Sequence, residues 1–257
     1  MSANDHEQPW VRENLEAGVL FLTLNRPDKY NVLSDAMMSA LRGCLNAAAT
    51  NADVCVIVIA ADGKAFSAGH DLNEMGAEHS VEDLQALFSR CTQLMLTIQR
   101  QPQPVIARVQ GVATAAGCQL VAMCDLAVAA ETAKFAVSGI NLGLFCSTPA
   151  VALSRNISRK EALEMLLTGE FIDAATAQSK GLVNRVVPAV ELDNAVRQLT
   201  STIVAKPADA ISAGKALFYR QLEVGVEQAF AMAGEVMACN AHFPDARAGI
   251  AKFTRKS

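Results

Sequence analysis

Hydrophobic positions along this chain alternate between short strand-like runs and longer stretches with helical spacing. The strand-like runs lie at 19–24, 54–60, 105–109 and 126–130. Between them, apolar side chains recur every three or four residues, which is typical of amphipathic helices, at 35–49, after Ser80 and at 115–124. Strands that alternate with helices at this spacing need crossover connections. The pattern therefore predicts an α/β fold with a largely parallel sheet that is covered on both faces.

From Ser158 onward the pattern is mostly helical, with one short strand predicted at 183–187. Two helices are expected at 161–168 and 174–180, and four more helical stretches follow the strand. We place a boundary near Val190. Residues 1–190 would form the α/β core, and residues 191–257 would form a helical C-terminal subdomain.

Composition narrows the functional classes. A chain of 257 residues that is 51% hydrophobic can bury a large core. Its net charge is −4 and it has no basic block, which argues against nucleic acid as a partner. No apolar run approaches the ~20 residues that span a bilayer, so no membrane contact is expected. The first residues are polar and acidic, which argues against a secretory signal or transit peptide and predicts a cytoplasmic location.

The cysteines and histidines predict neither disulfides nor a metal site. Seven cysteines are an odd number and show no C-x-x-C spacing, so we expect reduced and mostly buried thiols. The four histidines are scattered, without the paired spacing of zinc sites.

Two loops that follow strand-like runs carry the most specific signal. One reads Phe-Ser-Ala-Gly-His-Asp-Leu at 66–72, and the other reads Gly-Val-Ala-Thr-Ala-Ala-Gly-Cys-Gln-Leu at 111–120. Together they resemble the oxyanion hole of the crotonase (enoyl-CoA hydratase/isomerase) superfamily. The resemblance implies a spiral of repeated strand-strand-helix units with a C-terminal helical subdomain. It also implies that the backbone N–H groups of His70 and Ala116 hold the oxygen of a thioester.

Further segments resemble the same superfamily in the same order along the chain. They lie at 25–31, 104–107, 141–144, 166–169, 177–183 and 186–188. Within the superfamily, segments 111–122 and 141–149 look most like the group of enoyl-CoA hydratase domain-containing protein 3.

The chain departs from the hydratase pattern at both catalytic glutamates, since the resemblance places Gln119 at the first position and Gly139 at the second. Hydration of an enoyl thioester needs a base for water and an acid for the α-carbon. A carboxamide does not titrate in the physiological range, and glycine has no side chain. We therefore expect an acyl-CoA enzyme of the lyase or isomerase class in fatty acid metabolism. It would stabilise a thioester enolate but lack the usual hydration machinery.

Two alternatives stay open. The Ser-x-Gly-His-Asp loop is also similar to that of methylmalonyl-CoA decarboxylase, so His70 could serve the decarboxylation of a β-carboxyacyl-CoA. The tyrosine that partners this histidine in the decarboxylase would align near Cys146. The other alternative is an acyl-CoA binding protein without catalysis.

The resemblance also implies contacts to the substrate, with no cofactor beyond the coenzyme A of the thioester. Candidate substrate-binding residues are Arg26, Lys29, Ala68, His70, Asp71, Leu72, Asn73, Ala116, Cys146, Lys252 and Phe253. Lys252 and Phe253 would reach the coenzyme A site from the same or a neighbouring subunit. The resemblance also implies an assembly, since family members form trimers that pair into hexamers. Asp71 and Asp125 are expected to be structural, and Glu74 is either a solvated charge or a displaced acid or base.

Overall fold

The computed structural model describes residues 8–76 and 78–255. The strands are β1 Val11–Glu16, β2 Val19–Leu24, β3 Val56–Ala61, β4 Ala65–Ser67, β5 Val105–Val109, β6 Val112–Thr114, β7 Leu126–Ala130, β8 Lys134–Ala136, β9 Ile172–Asp173 and β10 Arg185–Val187. The α-helices are α1 Asp35–Ala49, α2 Val81–Arg100, α3 Ala116–Met123, α4 Ser147–Leu153, α5 Arg159–Thr168, α6 Ala174–Ser179, α7 Leu192–Val204, α8 Ala208–Gln221, α9 Val226–Ala241 and α10 Pro244–Thr254.

Two sheets share these strands. One has the order β1-β2-β3-β5-β7-β10, in which only the β1–β2 pair is antiparallel. The other has the order β4-β6-β8-β9. The chain places one strand in the first sheet, the next in the second sheet, and then a helix, as in β3-β4-α2 and β5-β6-α3. The predicted parallel sheet and repeated strand-strand-helix unit are confirmed.

Side chains from outside helix α1 hydrogen-bond to its backbone at both ends. Ser34 is the N-cap and accepts a hydrogen bond from the first turn. The C-terminal end has Thr50 as its cap, and two buried amides from outside the helix add hydrogen bonds to its carbonyls. Nε2 of Gln101 donates to the Leu45 oxygen at 2.7 Å, and Nε2 of Gln103 donates to the Ala48 oxygen at 2.8 Å. These bonds attach α1 to the segment between α2 and β5.

The shortest elements were not predicted. Strands β4, β6, β8 and β9 are two or three residues long, too short to show a hydrophobic period. Strand β1 was missed for another reason, because five of its six residues are exposed and only Val11 is buried. Strand β10 begins at Arg185 rather than at 183.

The predicted boundary near residue 190 stays a prediction, but α7 packs with the core. Its residues Leu192, Ala195 and Val196 cover the second face of the first sheet against Val56 and Val58. Helices α8 to α10 have no buried residues. Large apolar side chains are exposed on them, including Phe218, Leu222, Phe230, Met237, Ile250 and Phe253. The last three helices therefore present an apolar surface.

A partly buried polar cluster attaches α8 to the core. Oδ2 of Asp125 accepts hydrogen bonds from the Val105 backbone N and from Nζ of Lys215, both at 2.6 Å. Oδ1 accepts a third from the hydroxyl of Tyr219 at 2.7 Å. Burial lowers the pKa of Lys215, and the Asp125 carboxylate opposes this shift. Asp125 is structural as predicted, but two of its partners lie far along the chain.

All seven cysteines are free thiols. Four are buried (Cys91, Cys118, Cys124 and Cys146). Burial raises the pKa of Cys91 to about 12, so its thiol stays protonated and inert. Among the described residues, no helix has the length and apolar character to cross a membrane.

Candidate active site

The first loop of the site runs from β4 to His70. The Gly69 backbone has φ +91, and its N donates to Oγ of the fully buried Ser67 at 3.3 Å. Two further backbone bonds hold the loop: Ala68 N donates to Tyr30 O at 3.0 Å, and Leu33 N donates to Gly69 O at 2.7 Å. Within the described chain, the His70 backbone N–H donates to no other residue.

The second loop turns sharply from β6 into α3. Ala115 has φ 50 and ψ −121, a conformation that residues with a Cβ rarely adopt. Ala115 N donates to Ala136 O, and Ala115 O accepts from Gln119 N, so the strained residue is held on both sides. Ala116 is the first residue of α3, where backbone N–H groups have no partner within the helix. Its N–H makes no hydrogen bond to any residue that the structure describes.

The two loops are in direct contact. A Cβ built on Gly69 would lie 2.9 Å from Cβ of Ala115 and 3.1 Å from Ala116 N. A Cβ built on Gly117 would lie 2.2 Å from Ser67 O. Only glycine permits such an approach of two backbones. The structure thus brings together the loops that carry the two predicted oxyanion donors, and no described residue accepts a hydrogen bond from either N–H.

The imidazole of His70 is buried without a partner. Neither Nδ1 nor Nε2 hydrogen-bonds to a described residue, and both are shielded from solvent. The ring packs edge-on against Phe88 of α2, with ring centroids 5.5 Å apart. Burial lowers the pKa of His70, and the nearby Leu33 backbone, although outside ordinary hydrogen-bond geometry, opposes part of this shift. The imidazole is therefore neutral at pH 7, with one nitrogen able to donate and one able to accept.

Gln119 lies one turn into α3. It is 4% exposed, and within the described chain its Oε1 has no hydrogen-bond partner. Helical side chains lean toward the N-terminus of their helix, which places this amide over the turn that contains Ala116. A buried carboxamide with an unused oxygen stands where the resemblance implies the first carboxylate.

Gly139 lies on the 3₁₀ turn Ser138–Leu142, beside the second loop, to which Ser138 is joined by a 2.9 Å hydroxyl contact with Thr114. A Cβ at Gly139 would lie 2.7 Å from Leu144 O and 2.8 Å from Sγ of Cys146. The backbone and the thiol fill the volume that a side chain would need. No carboxylate fits at this position without a rearrangement.

Cys146 therefore occupies space next to Gly139, where the resemblance implies the second carboxylate. Burial raises its pKa, and the Gly139 backbone opposes this shift. The pKa of Cys118 is raised to about 12, mainly by burial and to a smaller extent by Cys146. Both thiols are protonated at neutral pH. The sequence placed Cys146 on the acyl pocket but did not predict its contact with Gly139.

The predicted coenzyme A residues differ in their surroundings. The guanidinium of Arg26 stacks 4.1 Å from the Trp10 ring centroid, and its nitrogens donate to the backbone oxygens of Gln8, Pro9 and Asn25. These contacts give Arg26 a role within the fold. Lys29 is exposed on the turn that follows and makes no ion pair in the described chain, which leaves its ammonium available.

Residues after His70 form a 3₁₀ turn at the mouth of the site. Asp71 caps it by accepting from Asn73 N at 3.0 Å, which matches its predicted structural role. Ala68 is partly buried, and Leu72 is 61% exposed at the start of the turn. Lys252 and Phe253 are exposed on α10, on the helical subdomain. The structure describes one chain, so a contribution from a neighbouring subunit stays a prediction.

Glu74 has a role that the sequence did not predict. Its Oε2 and Oε1 accept from the backbone N of Asp35 at 2.9 and 3.2 Å. Asp35 is the first residue of α1, so Glu74 caps that helix rather than standing free as an acid or base. Its position four residues after His70 made Glu74 a candidate in the sequence, but the sequence did not predict that it contacts the N-terminus of α1.

Comparison with known proteins agrees with this geometry. The sequence profile of the family described as enoyl-CoA hydratase/isomerase matches residues 14–257. A solved enoyl-CoA hydratase of Mycobacterium smegmatis superposes with a TM-score of 0.95 at 57% identity, over 97% of both chains. The solved human enoyl-CoA hydratase domain-containing protein 3 superposes with a TM-score of 0.94 at 42% identity, over 97% of this chain and 98% of the other.

A mitochondrial relative corrects one prediction. The rat enoyl-CoA hydratase domain-containing protein 3 is 42% identical over 239 residues, which span 93% of this chain and 80% of the relative. That protein and its mouse, frog and human counterparts are named as mitochondrial. The prediction of a cytoplasmic location is therefore wrong. It relied on the expected reduced thiols, which are not specific to the cytoplasm, and on the first residues of the chain, which lie partly outside the described residues.

Proposed function

Because this chain belongs to the enoyl-CoA hydratase/isomerase (crotonase) family, we propose that it binds acyl-CoA thioesters and stabilises their enolates with the N–H groups of His70 and Ala116. The observation that carries this proposal is the pair of touching loops, whose two backbone N–H groups donate to no residue in the described part of the chain. Backbone donors fixed in a buried site stabilise charge that develops on a carbonyl oxygen. Each such donor contributes about 10²–10³ in rate.

In this proposal, hydration of a simple enoyl-CoA is slow. Gln119 neither takes nor gives a proton at neutral pH, and the space beside Gly139 is filled by backbone and thiol. A general acid or base contributes roughly 10²–10⁴-fold, so the loss of both leaves little of a hydratase rate. The chemistry that remains is one in which an enolate forms without a carboxylate base.

Decarboxylation of a β-carboxyacyl-CoA meets this requirement, and the buried, unpartnered imidazole of His70 favours it as a second candidate. The bond between the α-carbon and the carboxylate carbon breaks, carbon dioxide leaves, and the electron pair of that bond forms the enolate that the two N–H groups hold. Water, directly or through the His70 imidazole, then supplies the proton that the α-carbon takes up. A neutral imidazole can donate a hydrogen bond to the departing carboxylate and lies on the loop that carries one donor.

Contacts to coenzyme A are also part of the proposal. Lys29 is the strongest candidate for a phosphate, because its ammonium is exposed and unpaired in the described chain. Ala68, Leu72 and Asn73 would border the coenzyme on the turn after His70. Arg26 is a weaker candidate because its guanidinium already serves Trp10 and three backbone oxygens.

We further propose that the chain forms a homotrimer or a hexamer through α8 to α10. Helices with no buried residues and many exposed apolar side chains need a surface to cover them. Light scattering of the purified protein tests this, and a monodisperse monomer would contradict it.

One assay panel tests the function. Purified protein is incubated with crotonyl-CoA, a β,γ-enoyl-CoA and methylmalonyl-CoA, products are followed by mass spectrometry, and binding of each thioester is measured by calorimetry. We expect binding of all three and crotonyl-CoA hydration far below the ordinary range of about 1–10³ per second. Binding without turnover of any thioester would favour the non-catalytic alternative. Absence of binding would refute the proposed site.

A further inference from the structure

The segment that follows His70 is attached to the N-terminus of α1 by the side chain of Glu74. After His70 the chain forms the 3₁₀ turn Leu72–Met75, and Glu74 extends from this turn to the N-terminus of α1. Both of its carboxylate oxygens face the same backbone N–H of Asp35. A carboxylate is favoured here because the N–H groups of a first helical turn carry partial positive charge.

Before His70, the same loop is attached to the same region by its backbone. Ala68 N donates to Tyr30 O and Leu33 N donates to Gly69 O, at 3.0 and 2.7 Å. His70 thus lies between two attachments to segment 30–35, one made by backbone and one by Glu74. The bond from Leu33 N to Gly69 O holds one end of the peptide unit that carries the His70 N–H. The other end of this unit is Cα of His70, whose position also depends on how the turn that follows is attached.

We infer that Glu74 is a positioning residue, which aims the backbone N–H of His70 at the thioester oxygen by holding the loop on α1. This inference rests on the proposed function, because it assigns a task to the oxyanion donor. Glu74 does not touch the reacting atoms in this role. Its hydrogen bonds to Asp35 are charge-assisted, a kind roughly twice as strong as neutral ones.

The N-terminus of α1 gives a matched control. The side chain of Asp35 forms an ion pair with Arg90 of α2, whereas Glu74 uses only the backbone of Asp35. Asp35→Ala therefore removes a carboxylate from the same helix terminus and leaves the bond to Glu74 in place. Glu74→Gln keeps an oxygen that can accept from Asp35 N, and Glu74→Ala removes it.

The experiment measures polarisation of the bound carbonyl separately from affinity for the coenzyme. Wild type, Glu74→Ala, Glu74→Gln and Asp35→Ala are titrated with a conjugated dienoyl-CoA, whose absorbance moves to longer wavelength when its carbonyl is hydrogen-bonded. Binding of free coenzyme A to each protein is measured by calorimetry, and thermal unfolding shows whether each variant is folded.

We expect Glu74→Ala to lose most of the absorbance shift and about tenfold in affinity for the dienoyl thioester, the cost of one impaired hydrogen bond to a charged acceptor. Free coenzyme A should bind it as it binds wild type. Glu74→Gln should recover the shift in large part, and Asp35→Ala should retain it.

Two results would overturn the inference. One is a folded Glu74→Ala protein with the wild-type absorbance shift. The other is an equal loss of shift in Asp35→Ala, which would reduce Glu74 to a general stabiliser of the helix terminus. If wild type itself binds the dienoyl thioester without a shift, the oxyanion hole of the proposed function fails, which is a distinct outcome. Should Glu74→Ala not fold, Glu74→Gln decides, because loss of the shift in that folded variant contradicts the rescue.

Discussion

Replacing Gly139 with alanine should destabilise the protein, because the added methyl group meets atoms that cannot all move. The new Cβ would lie 2.7 Å from Leu144 O and 2.8 Å from Sγ of Cys146. Favourable contacts of carbon lie near ~3.5–4.0 Å, so both approaches are too short. The Leu144 backbone is itself fixed, since its N donates to Gly139 O at 3.0 Å.

Overpacking of a well-filled site costs about 1–3 kcal/mol. We expect Gly139→Ala to lie in the upper half of that range, because one obstructing atom belongs to the backbone. Gly43 on α1 provides the matched control, since a Cβ there meets nothing within 4 Å. Gly43→Ala should be stabilising by about 0.4–1 kcal/mol, as expected when a helical glycine with free space is replaced.

Urea unfolding of both variants measures these free energies, with an unchanged slope as the check on cooperativity. A second variant separates the two obstructions. In a Cys146→Ala background the thiol is gone but Leu144 O remains, so Gly139→Ala should cost less there than in wild type and still more than zero. A Gly139→Ala protein as stable as wild type would refute the reasoning. The second catalytic position would then have room for a carboxylate.

Three further changes test other parts of the structure. Lys215→Met should lower the free energy of unfolding in urea by about 3–5 kcal/mol, because it leaves Asp125 as a buried carboxylate without its cation. In an Asp125→Asn background the same change should cost less. An equal cost in the two backgrounds would contradict this. Lys29→Glu should weaken binding of coenzyme A in calorimetry, through repulsion of the phosphates, and unchanged affinity would remove Lys29 from the site. His70 has a pKa below its ordinary 6.5, so its imidazole takes up a proton more readily when the chain unfolds. Stability should therefore fall as pH drops below about 6.5, and His70→Phe should lose part of this dependence, as measured by Tm against pH.

The long elements of the fold could be predicted because their patterns extend over whole periods. The bounds of α1, β5 and β7 match the predicted ranges. Strand β7 is an uninterrupted apolar run, β5 is apolar except for Arg108, and α1 is a helix with a side-chain cap. The short strands of the second sheet carry no such pattern, since two or three residues cannot distinguish alternation from chance. Their positions follow from the crossover connections rather than from their own residues.

The network around Asp125 shows another limit of prediction. Lys215 lies 90 positions further along the chain, on a helix whose sequence shows only an amphipathic pattern. A lysine on such a helix is ordinarily a solvated charge. Here its Nζ donates instead to two backbone carbonyls, those of Ile98 and Gln103, and to the Asp125 carboxylate. Local sequence contains no information about partners so far along the chain.

In the candidate site, the backbone groups could be predicted from the sequence better than the side-chain contacts. The predicted oxyanion donors are backbone groups, so a short motif with glycines at Gly69 and Gly117 specifies them, because only those glycines let the two loops touch. The acid and base of the hydratase pattern are side chains, and the sequence does not show whether position 139 has room for one. In the structure, Sγ of Cys146 and Leu144 O take the space that a side chain at Gly139 would need. A carboxylate at 139 would have to displace the thiol and a backbone carbonyl together. The departure from the hydratase pattern is therefore built into the packing of the loop, and reversing it needs more than the two missing glutamates.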